Sequence, residues 1–250
     1  MNPGALKTGD SETRARVLSA AQHLFASRGF KRVTVRDICR AASANIASVN
    51  YHFGDKLGLY REVLQTAVDT MRSTLEAAQA AGAHGNAEAR LRAYIRVYLE
   101  RAVCHVRDSW MHQLMSRELV DPTPALDLIV QQGVRPRMVY LCSLVGELLS
   151  LPADDRHVVR SAHSVHAQCV AALIPNAVAV RLYPDLDLAP DQMSVLADHI
   201  ATFSLAGIRA LRPHDGARGI AARARRYPAA RRPPASRRVG AAGKGSREGR

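Results

Sequence analysis

The chain has 250 residues, 47% hydrophobic and 5% aromatic, enough apolar material for one large domain or two small ones with real cores. Its formal charge of +13 is unevenly spread: residues 212–250 hold 12 Lys/Arg against Asp215 and Glu248, so the high pI describes a tail rather than a folded body. There is no uncharged apolar run of the ~18–20 residues a membrane span requires, no apolar signal core near the N-terminus, and no C-x-x-C pair among Cys39, Cys104, Cys142 and Cys169. These features predict a cytoplasmic protein with no membrane partner and reduced, buried thiols.

Among the apolar residues Leu, Ala and Val dominate, and long segments run without Gly or Pro, so the expected fold class is all-α, with about nine helices. Residues 1–10 read as a flexible N-terminus. Asp10 or Ser11 can cap a first helix carrying Val17, Leu18, Ala21, Leu24 and Phe25 on one face. Gly29 can end it in the left-handed conformation, with Phe30 folding back on the preceding turn. Thr34 then caps a second helix with Asp37 completing a capping-box pair, and Val35, Ile38, Cys39 and Ala42 can pack on the first. Ser43-Ala44 makes a turn, and Asn45 caps a third helix that ends at Gly54-Asp55. A long fourth helix holds its apolar period from Leu57 to Leu75.

After the break around Gly82 and Gly85, a helix carries Leu91, Ile95, Tyr98, Leu99 and Val106; Asp108-Ser109 can then cap a shorter one over residues 110–119. Thr123 and Pro124 read as N-cap and N1 of a helix running to Ser150, in which Pro136 must produce a kink or a later start. Two further helices are expected over about 154–174 and 191–211. From 212 on, Arg, Ala, Gly and Pro without apolar periodicity read as a disordered basic tail.

Residues 34–53 are the stretch with the chemistry. Two short helices joined by a tight turn match a helix-turn-helix, whose second helix must carry small or hydrogen-bonding side chains to approach base edges in a major groove. Asn45, Ala47, Ser48, Asn50, Tyr51 and His52 fit that description, with Thr34, Arg36 and Lys56 as candidate phosphate contacts. Residues 1–70 carry 10 basic and 6 acidic side chains, a positive bias in keeping with a DNA-binding end. An ordinary helical hairpin is the alternative that this pattern leaves open.

The motifs A-x-x-L-F-x-x-x-G-F at residues 21–30, T-V-R-D-I at 34–38 and Y-H-F-x-x-K-x-x-L at 51–59 resemble the DNA-binding domain of TetR-type repressors. Residues 44–60, R-E-x-x-x-P-T-P-A at 117–125 and D-H-I-x-x-F-S-L-A-G at 198–207 resemble the CecR-like subgroup. The resemblance implies a helix-turn-helix head over 11–54, a linking helix over 55–80 and a ligand-binding and dimerisation domain over 81–211. It also implies a homodimer on double-stranded DNA and a small-molecule effector of antibiotic-like or xenobiotic type. Ser43, Ala44 and Asn50 depart from the family pattern, so the operator sequence does not carry over.

For the effector, His105, Trp110, Met111, His112, Met115 and Glu118 combine apolar surface with polar handles. For the dimer, Val158, Val165, Cys169, Ile200, Phe203, Ala206 and Gly207 lie on the last two helices, where Ala206-Gly207 permits close approach. No metal site or cofactor is expected from the histidine spacing, and no enzyme from the absence of a nucleophile or paired-carboxylate constellation. A repressor released by a ligand is the reading that results. Its rivals are a non-specific DNA-binding protein driven by the Arg-rich tail and a helical small-molecule carrier or enzyme.

Overall fold

The computed structural model describes residues 3–106, 110–172, 181–182 and 192–212, and those residues contain helices and connections but no strand. Helix α1 (Pro3–Arg28) starts ahead of the expected caps at Asp10 and Ser11, and Pro3 is tolerated at that start because a first-turn residue needs no helical N–H bond. It ends as the sequence suggests. Gly29 takes φ +79° and its N–H donates to the Phe25 carbonyl at 2.9 Å. Phe30 then folds back, its ring centroid 6.0 Å from Phe25 and 4.8 Å from Tyr60.

Helix α2 (Val35–Ala42) opens on a reciprocal capping box: the Thr34 hydroxyl accepts from the Asp37 N–H at 3.2 Å and the Asp37 carboxylate accepts from the Thr34 N–H at 3.0 Å. These bonds from Thr34 hold the Asp37 carboxyl below its ordinary pKa. Ser43 turns the chain in the left-handed conformation at φ 49°. Asn45 and Asp55 cap α3 (Ile46–Phe53) and α4 (Lys56–Ala81) through their side-chain oxygens.

Helices α5 (Ala87–Val106) and α6 (Trp110–Val120) follow; the expected cap at Asp108-Ser109 lies outside the described residues. The segment read as one helix up to Ser150 is in three parts. A short turn α7 (Leu126–Leu128) leads into a π-helical stretch (Ile129–Val134), and α8 (Arg135–Leu149) starts with Pro136 in its first turn. Proline cannot donate into the preceding turn, and the wider π turn absorbs the misfit. Thr123 caps only locally, its hydroxyl accepting from the Ala125 N–H at 3.2 Å. Helices α9 (Arg156–Ala171) and α10 (Met193–Ala210) complete the described fold.

Two apolar cores organise these helices. The first joins Val17, Phe25, Ile38, Val49, Phe53, Leu59, Tyr60 and Leu64, all buried. The second gathers Leu91, Tyr94, Leu99, Leu141, Leu144, Val158, Val165 and Leu205. Helix α4 runs through both: Leu59 to Val68 serve the first core, Leu75 and Ala78 the second. Leu114, Ala125 and Ile129 also belong to the first core. The stretch from α6 into the π turn therefore packs with the head, although it lies within the range 81–211 read from sequence as the C-terminal domain.

The junction of α3 with α4 is set by a close approach. A Cβ placed on Gly58 would stand 2.0 Å from the Phe53 carbonyl oxygen, a backbone atom that cannot swing aside. Gly58→Ala must therefore part the two helices, at about 1–3 kcal/mol as for other overpacked sites. The expected result is a lower thermal midpoint for the head and weakened DNA binding. Equal melting of Gly58→Ala and wild type by circular dichroism would show that the junction is slack.

Candidate nucleic-acid interface

Helix α3 is held from behind by Val49 and Phe53, 0% and 8% exposed, which sit in the first core with Ile38 of α2 and Val17 of α1. The opposite face is open. Ala47 and Asn50 are exposed, and the Tyr51 ring stands 78% exposed. Ala47 has no bulk to hold a backbone away, Asn50 offers both a donor and an acceptor, and Tyr51 a hydroxyl on a rigid arm. Such a surface can meet base edges and phosphates in a major groove.

The other residues expected on this surface have different placements. Asn45 Oδ1 accepts from the Ser48 N–H at 2.7 Å and from the Ser48 hydroxyl at 3.0 Å, so both side chains start the helix. Thr34 donates its hydroxyl to Asp37 at 2.6 Å. Arg36 is exposed on α2. His52 corrects its expected role: its side chain is only 8% exposed and Nε2 lies 3.2 Å from Asp10 of α1. It ties α3 to α1 and does not face outward. Lys56 is half-buried with Nζ 4.4 Å above the Phe30 ring, and burial lowers its pKa. Phosphate contact by Lys56 would require it to leave that ring.

The expected ligand residues are also placed differently. Trp110 and Met115 pack half-buried against the first core, beside buried Leu114, and Met111 is half-buried. Glu118 is 2% exposed and fully engaged: it accepts from the Tyr60 hydroxyl at 2.5 Å and from the Thr123 N–H at 3.2 Å. Burial and this carboxylate both raise the Tyr60 pKa. Glu118 thus acts as a brace between α6 and α4, which corrects its reading as a pocket handle. The side chains of His105 and His112 lie outside the described residues. An open groove of about 440 Å³ between α4 and the α7 turn is lined by Arg61, Glu62, Gln65, Pro124 and Leu128, none of them among the expected ligand residues.

One contact was missed altogether. Arg117 donates from Nε to the Ala26 carbonyl at 2.7 Å and from Nη2 to the Ser27 carbonyl at 2.5 Å, satisfying carbonyls left free at the end of α1. The motif R-E-x-x-x-P-T-P-A contained this arginine, but nothing local says that it reaches α1.

The dimer set divides in two. Val158, Val165, Cys169 and Ile200 fill the second core of their own protomer and cannot be covered by a partner, a correction to the reading from sequence. Phe203, Ala206 and Gly207 are exposed on the outer face of α10, with Val195. Among the described residues, no group of three or more His, Cys, Asp or Glu side chains is placed to hold a metal, and no helix is long and apolar enough to cross a membrane.

Comparison with known proteins bears on both halves. Residues 17–63 match the profile described as bacterial regulatory proteins, tetR family, and residues 87–208 match that of the HTH-type transcriptional dual regulator CecR, C-terminal domain. The CecR regulator of Shigella flexneri is 26% identical over 182 residues, covering 68% of this chain and 80% of that protein. The transcriptional repressor KstR2 of Rhodococcus jostii is 36% identical over 85 residues, 28% of this chain and 41% of its own length. A TetR-family regulator from Streptomyces coelicolor superposes with a TM-score of 0.57 at 20% identity, over 80% of this chain and 97% of that one. A transcriptional regulator from Pseudomonas aeruginosa PAO1 gives 0.61 at 18% identity, over 80% and 93%. These last two likenesses concern the fold.

Proposed function

Since the chain belongs to the TetR family of DNA-binding transcriptional regulators, we propose that it is a two-fold dimeric repressor released from a pseudo-palindromic operator by a small molecule. The observation that carries this reading is the open face of α3, with Ala47, Asn50 and Tyr51 exposed on a helix whose other side is locked into the head. Phe203, Ala206 and Gly207 on α10 supply the outward surface for a second copy. A symmetric pair of heads then requires half-sites one helical turn, ~34–36 Å, apart or a multiple of it.

Release by a ligand needs a mechanical link between the two cores. Helix α4 is one link, since it contributes to both. Helix α6 braces the head side of that link, fastened to α1 through Arg117 and to α4 through Glu118 and Tyr60. A ligand that prefers a shifted arrangement of the C-terminal helices would pull on these contacts and change the spacing of the two heads. Coupling of ~1–3 kcal/mol would change operator affinity roughly 5–150-fold.

Protection mapping on DNA upstream of the chain's own gene tests the reading, with a protein truncated after Leu211 as control. Two protected half-sites of the stated spacing are expected from both forms. Loss of sequence-specific protection in the truncated form would favour binding driven by the basic tail.

A further inference from the structure

Arg137 is an anomaly in the second core. It is the third residue of α8, it is 5% exposed, and among the described residues no carboxylate pairs with it. Its recorded contact is with the Tyr98 ring, whose centroid lies 5.0 Å from the guanidinium carbon. A buried guanidinium without an anion is costly, because a cation–π contact replaces only part of its lost hydration.

The groups around it are polar and incompletely satisfied. Tyr94 is 1% exposed and its hydroxyl has no hydrogen-bond partner among the described residues; the same holds for Nδ1 of half-buried His166. Tyr94 and Tyr98 stack at 5.9 Å on α5, and the His166 ring of α9 meets Tyr98 edge-on at 5.8 Å. The Arg137 charge acts on Tyr94, Tyr98, His166 and Cys169, so three helices present one cationic, aromatic-walled cluster. The π-helical turn directly before Arg135 leaves the backbone there less tightly wound than an α-helix.

We infer that Arg137, with Tyr94 and His166, receives the carboxylate of a small ligand with a flat apolar body, held between α5, α8 and α9. The carboxylate would accept from the guanidinium and from the Tyr94 hydroxyl, while the tyrosine rings take its flat face. The inference rests on the ligand-responsive reading above and names the chemistry of that ligand. Burial and the nearby Arg137 push the His166 pKa down to about 4, so at neutral pH this imidazole is uncharged and Arg137 carries the site's positive charge.

The test uses the full chain with benzoate as the probe and neutral benzamide as its control, read by thermal midpoint. Benzoate is expected to raise the wild-type midpoint by ~2–4 °C and benzamide to leave it unchanged. Arg137→Met should lose the benzoate response and melt no lower than wild type, since it removes an unpaired buried charge. Tyr94→Phe, which only removes a hydroxyl, should retain the fold and show a smaller shift. The inference is overturned if benzoate gives no shift, if Arg137→Met or Tyr94→Phe responds like wild type, or if Arg137→Met melts well below it. Operator binding without any ligand is measured in parallel by mobility shift. If it persists while the benzoate response fails, the anion site alone falls; if it is absent, the regulator reading falls.

Discussion

Tyr51→Ala is expected to weaken operator binding about 10–100-fold while leaving the folding stability within about half a kcal/mol of wild type, with no appreciable change in thermal midpoint. The two effects separate because the ring is 78% exposed and its removal uncovers nothing. Its neighbour in the ring series is His52, at a centroid distance of 5.0 Å, and His52 is already held by Asp10. The arm that Tyr51 presents is therefore anchored at its root before DNA arrives. Asn50→Ala should cost a similar factor if its amide reads a base edge, and the two losses should add where the contacts are independent. A mobility shift at fixed salt decides the matter. Unchanged affinity in Tyr51→Ala would move the reading surface elsewhere, whereas weaker binding accompanied by a lower midpoint would point to a packing role for the ring.

The contrast between Tyr51 and His52 shows what a sequence can and cannot say about such a surface. Both residues are aromatic, polar and adjacent in a motif, and both were natural candidates for DNA contact. Only the three-dimensional position of Asp10 on α1, whose helix extends back to Pro3, separates them. Local chemistry was legible: Thr34, Asn45 and Asp55 cap their helices as residue types and spacing suggest, and Gly29 ends α1 at positive φ. Pro136 likewise marked a discontinuity, realised as a π turn and a fresh helix start. Long-range pairings were not legible. Arg117 and Glu118 look like the polar face of a helix, yet one reaches the end of α1 and the other is buried against Tyr60.

Apolar periodicity had the same blind spot. It marks the inward faces of α9 and α10 but does not say what covers them: Val158, Val165, Cys169 and Ile200 suit a partner interface by pattern, yet their own protomer encloses them. Buried charge is the harder case still. Arg137 follows a proline in a stretch rich in arginine, and nothing in that context distinguishes it from the exposed Arg135 two residues earlier. Two positions along a helix stand on opposite faces, and only the packing of α8 on its neighbours decides that the Arg137 face is the inner one.

Phe25→Ala should have the largest effect on stability, about 3–5 kcal/mol, the range for removing a buried phenylalanine from a packed core. The ring is 0% exposed, meets Tyr60 edge-on at 4.9 Å and lies against Phe30, so its loss removes the centre of the contact between α1 and α4. Two further supports depend on that contact. The Tyr60 hydroxyl would lose its alignment on Glu118, and the Ala26 and Ser27 carbonyls would shift under Arg117. The cavity would therefore loosen the head and its fastening to α6 at one stroke, while the second core, which contains none of these residues, keeps its packing. Circular dichroism melting should then show the head unfolding at lower temperature than the remainder, with operator binding lost and self-association retained by sedimentation. A single transition displaced as a whole would mean that the two cores unfold as one unit. In that event the shared helix α4 would carry the coupling between them strongly enough to outweigh the local loss in the head.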